Sequence, residues 1–175
     1  MLYANIITAL FFIANALQAT ATGFLFRKES AESYNIFYSL LQTVGLIVLW
    51  TVSNWLVCTL FSGKGTIKEV YISSSYALIP LIIFMFVNVA LSHVLSLTGA
   101  GVMEIIYIAV LIYTFYLLSV AIMTVHEYSF TKFILTSLAT VFGMFLVVFI
   151  IFMLIILLQQ FWNLIISICM EIANR

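Results

Sequence analysis

Residues 133–158 read FILTSLATVFGMFLVVFIIFMLIILL, a stretch without one charged side chain. A helix needs about 20 mostly apolar residues to cross the hydrocarbon core of a bilayer. This stretch exceeds that length, and it lacks the polar–apolar alternation of a barrel strand. Four earlier runs share its character: roughly Leu2–Phe26, Ile36–Phe61, Tyr71–Leu97 and Val102–Val125. The connections hold the turn and charge residues. They are Arg27-Lys28-Glu29 through Asn35, Ser62-Gly63-Lys64-Gly65, Thr98–Gly101, and His126-Glu127 through Lys132. The expected fold class is an all-α integral membrane protein, a five-span transmembrane helical bundle forming one domain over residues 1–175.

Composition leads to the same class. Hydrophobic residues make up 66% of the 175 and charged residues 7%, with zero net charge. Soluble domains carry about 25% charged residues, so a soluble enzyme or a nucleic-acid binder is nearly excluded. No basic patch exists to follow a phosphate backbone. All the acidic residues are Glu, which removes every triad or metal site that requires an aspartate.

The C-terminal part sets a length problem. From Phe133 to Ile172 no loop residue intervenes. One helix of that length would reach about 60 Å, twice the hydrocarbon core. The reading adopted is a span over 133–158 ending at Gln159-Gln160, then a C-terminal interfacial helix over 161–172 with Trp162 at headgroup depth. At the other end, Ala19-Thr20-Ala21 resembles a cleavage site, but the run lacks a basic start and contains Asn5 and Asn15, so it is read as a span. Cys58 and Cys169 fall at opposite membrane faces and are expected to stay unpaired.

Few residues could carry chemistry. In Gly63-Lys64-Gly65-Thr66-Ile67-Lys68-Glu69 the two glycines are expected to make a turn, and Thr66 with Glu69 a capping box that starts a helix at Ile67. This is either a basic docking loop or a plain hairpin turn. His126-Glu127 is not a zinc motif, because Phe130 stands where H-E-x-x-H needs its second His. It is expected at a water-reached span end, either as a partner contact or pH-sensitive latch, or as a simple terminus anchored by Tyr128. Lys132 closes that connection.

Pro80 predicts a kink within the third span, with Asn88 and His93 further along it, as a hinge or cavity lining or as a packing kink alone. Asn15, Gln18 and Thr22 in the first span, and Gln42, Ser53 and Asn54 in the second, are expected to bond across helices. No catalytic, cofactor or metal site is expected. Lys64, Lys68 and Lys132 on the N-terminal side balance Arg27, Lys28 and Arg175 on the other, so charge alone sets orientation only weakly, toward a cytoplasmic N-terminus.

Several segments in order carry a resemblance: Thr22–Phe26, Asn35-Ile36, Trp50 through Asn54-Trp55, Gly63-Lys64-Gly65 with Lys68-Glu69, Tyr76–Pro80, and Met123–Phe130. Together the chain resembles the Yip-one domain family, its bacterial branch more closely than its eukaryotic one. The resemblance implies a five-span bundle in the bacterial plasma membrane, with a cytoplasmic N-terminus and the C-terminus outside. Eukaryotic relatives bind Rab-type GTPases. That role is not carried over, because the chain resembles the bacterial branch and is expected to lack a long cytoplasmic N-terminal arm; family members usually carry a polar, basic segment ahead of the first span, whereas this chain is apolar from Leu2.

The function expected is a non-enzymatic scaffold or transport accessory subunit acting through protein contacts in the membrane. Its partners would be the lipid bilayer and other integral membrane proteins or further copies of itself, with no nucleic acid. Partner binding would fall to Gly63, Lys64, Gly65, Lys68, Glu69, His126, Glu127 and Lys132. The alternatives are a small oligomeric transporter or channel using Pro80, Asn88 and His93, and a membrane-shaping protein.

Overall fold

A computed structural model of the chain describes residues 1–23, 34–95 and 99–173. Arg27, Lys28 and Glu29, the ends of the first and third expected spans, Thr98, Asn174 and Arg175 lie outside the described residues. The described elements are all helices: α1 (Leu2–Thr20), α2 (Ile36–Leu60), α3 (Ile67–Ala77), α4 (Ile79–Ser92), α5 (Ala100–His126) and α6 (Phe130–Ala173). Helices α3 and α4 make one span, so five helical segments are long and apolar enough to cross a membrane.

The α3–α4 span sits at the centre. Helix α1 presents Ala4, Thr8 and Ala14 to it, all buried. Small residues on that face let the backbones approach closely. On α4, Leu81, Ile82 and Met85 close around Ala14, with Ile7, Phe11 and Val110 against them. A second apolar cluster joins Val70, Ile122 and Phe133 near the opposite membrane face. Polar groups then fix the register. Tyr71 donates to Asn5 Oδ1 at 3.1 Å and lies 3.0 Å from Thr8 Oγ1, while Trp50 Nε1 donates to Ser74 at 3.2 Å. Beyond the far end of α1, Ser92 Oγ accepts the Gly23 N–H at 2.9 Å. The start of α1, the α2–α3 turn and the α5–α6 turn therefore share one membrane face.

Two helix irregularities follow from local chemistry. Pro80 has no N–H to give to the Tyr76 carbonyl. The expected kink falls at the single turn residue Leu78, which keeps right-handed helical dihedrals, and Pro80 occupies the first turn of α4. In α2, residues Leu41–Gly45 form a π-helical turn, which sequence periodicity did not reveal. Thr43 Oγ1 donates to the Ser39 carbonyl inside it at 2.7 Å.

Helix α6 corrects the expectation of a separate tail helix. It runs unbroken from Phe130 to Ala173, straight through Gln159-Gln160. No Gly or Pro lies near those glutamines to interrupt the hydrogen-bond ladder, and glutamine is a good helix former. Its first turns pack mainly on α2, where Gly143 faces Val57 and Ser53. Beyond Phe145 none of its described side chains is buried.

Candidate functional site

Helices α2 and α5 end side by side on one membrane face, and they end the same way. In α2 the Gly63 N–H bonds to the Cys58 carbonyl at 2.7 Å and the Ser62 N–H to Thr59 at 3.4 Å. In α5 the Tyr128 N–H bonds to Met123 at 2.9 Å and the Glu127 N–H to Thr124 at 3.4 Å. Both are Schellman caps, which need one left-handed residue. Ser62 (φ 58°) and Glu127 (φ 54°) supply it. The expectation that glycines make the first turn is therefore corrected, since no described glycine has positive φ.

Gly63 and Gly65 serve a different purpose. A Cβ on Gly63 would lie 2.6 Å from both His126 Nδ1 and the Tyr128 hydroxyl oxygen. On Gly65 it would lie 2.9 Å from His126 Cε1. The two glycines are flat against the aromatic pair. His126, expected to meet water, is instead 2% exposed. The α2–α3 turn covers it, a contact made across 61 residues of sequence. Its Nδ1 accepts the Gly65 N–H at 3.3 Å, and its ring stacks on Tyr128 at 5.4 Å between centroids.

Tyr128 holds the junction from beneath. Its hydroxyl donates to the Cys58 carbonyl at 2.9 Å and reaches Phe61 O at 3.3 Å. Burial, reinforced by the neighbouring Cys58, raises its pKa far above the ordinary phenol range, so it stays a donor. Lys132 Nζ lies 4.4 Å above the same ring, within cation–π reach. Outside, Lys64 Nζ pairs with Glu127 at 2.5 Å. Both side chains are exposed, so the pair contributes only about 0–1 kcal/mol.

On α3, Thr66 and Glu69 form the expected capping box, with the Thr66 N–H donating to Glu69 at 2.8 Å. Lys68 is exposed on that same first turn. The structure thus gathers Gly63, Lys64, Gly65, Lys68, Glu69, His126, Glu127 and Lys132 at one face. It does not gather Pro80, Asn88 and His93, which lie along α4 from its start to just beyond its end. His93 Nε2 donates to the Ala21 carbonyl at 2.9 Å, tying down the end of α1.

The polar stripes divide. Asn54, fully buried, bonds across to Thr140 on α6 at 3.3 Å and accepts from the Cys58 thiol. The amide of Asn15 and the hydroxyl of Thr22 donate to carbonyls of their own chain four residues back. Trp50 and Tyr71 are part of interhelical bonds. Both cysteines are free, Cys58 buried and Cys169 exposed. Among the described residues, no group of three or more His, Cys, Asp or Glu is arranged to hold a metal ion.

A family model described as the Yip1 domain matches residues 1–153. No curated protein and no solved structure matches the chain.

Proposed function

The chain belongs to the Yip1 domain family, and from that premise we propose that it works as a non-enzymatic membrane scaffold or accessory subunit. The observation that carries this reading is the junction of the α2–α3 and α5–α6 turns. Two turns from distant parts of the sequence are locked by His126 and Tyr128 into one face. That face presents Lys64, Lys68 and Glu127 outward, a fixed charge pattern of the kind that orients a partner. In this reading the face is cytoplasmic, the membrane is a bacterial plasma membrane, and the partners are integral membrane proteins or further copies of the chain.

The test is capture of tagged protein from its native membrane in mild detergent. A stoichiometric membrane partner that is lost with Lys64→Glu/Lys68→Glu, while the bundle keeps its helicity and thermal midpoint, supports the proposal. Homogeneous self-assembly unaffected by the charge reversals overturns the role of this face and turns attention to flux and membrane-bending assays.

A further inference from the structure

His126 holds its two ring nitrogens in opposite situations. Nδ1 faces the Gly65 N–H, so it must be an acceptor. The ring proton then sits on Nε2, which is buried and has no hydrogen-bond partner among the described residues. Protonation would place a second N–H at Nδ1, donor against donor. It would also place a charge in a position that is 2% exposed.

The charged and titratable groups around the ring do not rescue that state. Glu69 on α3 acts on the ring electrostatically, but its carboxylate is occupied by the Thr66 N–H and hydroxyl, each at 2.8 Å. Glu127, next in the chain, is paired outward with Lys64 of the α2–α3 turn. Lys132 of α6 sits over the Tyr128 ring and adds positive charge. Tyr128 donates to Cys58 O on α2 and offers no acceptor charge.

We propose that this junction is a proton-operated latch: closed on a neutral His126, and opened when the ring takes up a proton. Opening frees Gly63–Gly65 from the His126–Tyr128 stack and leaves the Lys64–Glu127 pair without its anchor. The inference concerns the loop itself and does not depend on any partner docking there. The sign follows from proton linkage. The closed state binds one proton fewer than the open one, so the open fraction grows as pH falls below about 6.5, where an exposed histidine titrates. Between pH 7 and pH 5 the opening equilibrium should rise about 25-fold.

Amide hydrogen exchange on the whole chain in nanodiscs reads this directly, after correction for the intrinsic pH dependence of exchange. Protection over residues 62–66 should fall about 25-fold from pH 7 to pH 5, while the middle of α5 around Thr114 stays unchanged. His126→Asn places an amide oxygen near the Nδ1 position but cannot titrate, so its loop should be equally protected at both pH values. Wild-type protection that ignores pH overturns the proposal, as does an equal loss in His126→Asn, which would assign the response to Glu69 or Glu127. If His126→Asn does not fold, NMR of the wild type decides. A Gly65 amide resonance moving with the His126 ring midpoint upholds the latch, and one moving with a carboxylate midpoint, or not at all, overturns it.

Discussion

Replacing Gly143 with Leu should loosen α6 from the bundle, because α2 is the main surface on which α6 is seated. A Cβ at position 143 would meet Val57 Cγ2 at 3.1 Å and Ser53 Cβ at 3.9 Å. A single methyl group is therefore tight but bearable. In Gly143→Ala, crowding is offset by about 1 kcal/mol of improved helix propensity, and stability should barely move. Leucine adds three further carbons into the same gap, and overpacking of this kind costs about 1–3 kcal/mol. At about 2 kcal/mol, detachment of α6 becomes about 30-fold more frequent.

Cys58 reports that event. It is 0% exposed, and Asn54 above it is tied to Thr140 of α6. In a Cys169→Ser background, maleimide labelling of Cys58 should be slow in the wild type and in Gly143→Ala, and about 30-fold faster in Gly143→Leu. Labelling of Gly143→Leu within twofold of the wild type would show that α6 is not seated on α2 at this position.

Other outcomes follow from single contacts. A double-mutant cycle of Asn54→Ala and Thr140→Ala, measured by reversible unfolding in mixed micelles, should give a coupling of about 0.6–1.7 kcal/mol. Zero coupling would remove that bond from the account of α6 docking. Ser62→Gly should raise stability by about 1 kcal/mol, since Ser62 holds a left-handed conformation that glycine adopts freely; a lower thermal midpoint would refute this. Tyr128→Phe leaves the Cys58 carbonyl without the tyrosine hydroxyl and should cost about 1–2 kcal/mol, seen as faster proteolysis of the α2–α3 turn.

The spans were legible because each run exceeds the bilayer requirement, and the start of α3 because Thr66 and Glu69 carry their own capping signal. What was not legible depends on distant contacts. Gly63 and Gly65 look like turn makers because glycine is the default residue for positive φ. Only the packing of α5 against the α2–α3 turn shows that they are small so that His126 and Tyr128 can lie on them. His126 looked solvated for the same reason, since the turn that covers it lies far away in sequence. Asn15 shares helical spacing with Gln18 and Thr22, but spacing cannot tell a bond across helices from one back to the same helix, and the Asn15 amide bonds back to Phe11. The break assigned at Gln159-Gln160 came from membrane thickness, whereas backbone continuity is decided by local hydrogen bonding.

The π-helical turn at Leu41–Gly45 has a consequence for how α2 is read and altered. A π turn amounts to one residue inserted into an α-helix, and one residue corresponds to about 100° of rotation. Helix α2 is thus two helical wheels out of step by one residue, and a plain wheel drawn across it misplaces the residues on one side of the turn by about 100° relative to those on the other. Deleting any one residue from Leu41 to Gly45 would heal the helix rather than break it. The outer turn would keep its phase, with Ser39 still facing the interior, because the deletion removes the residue that the π turn absorbs.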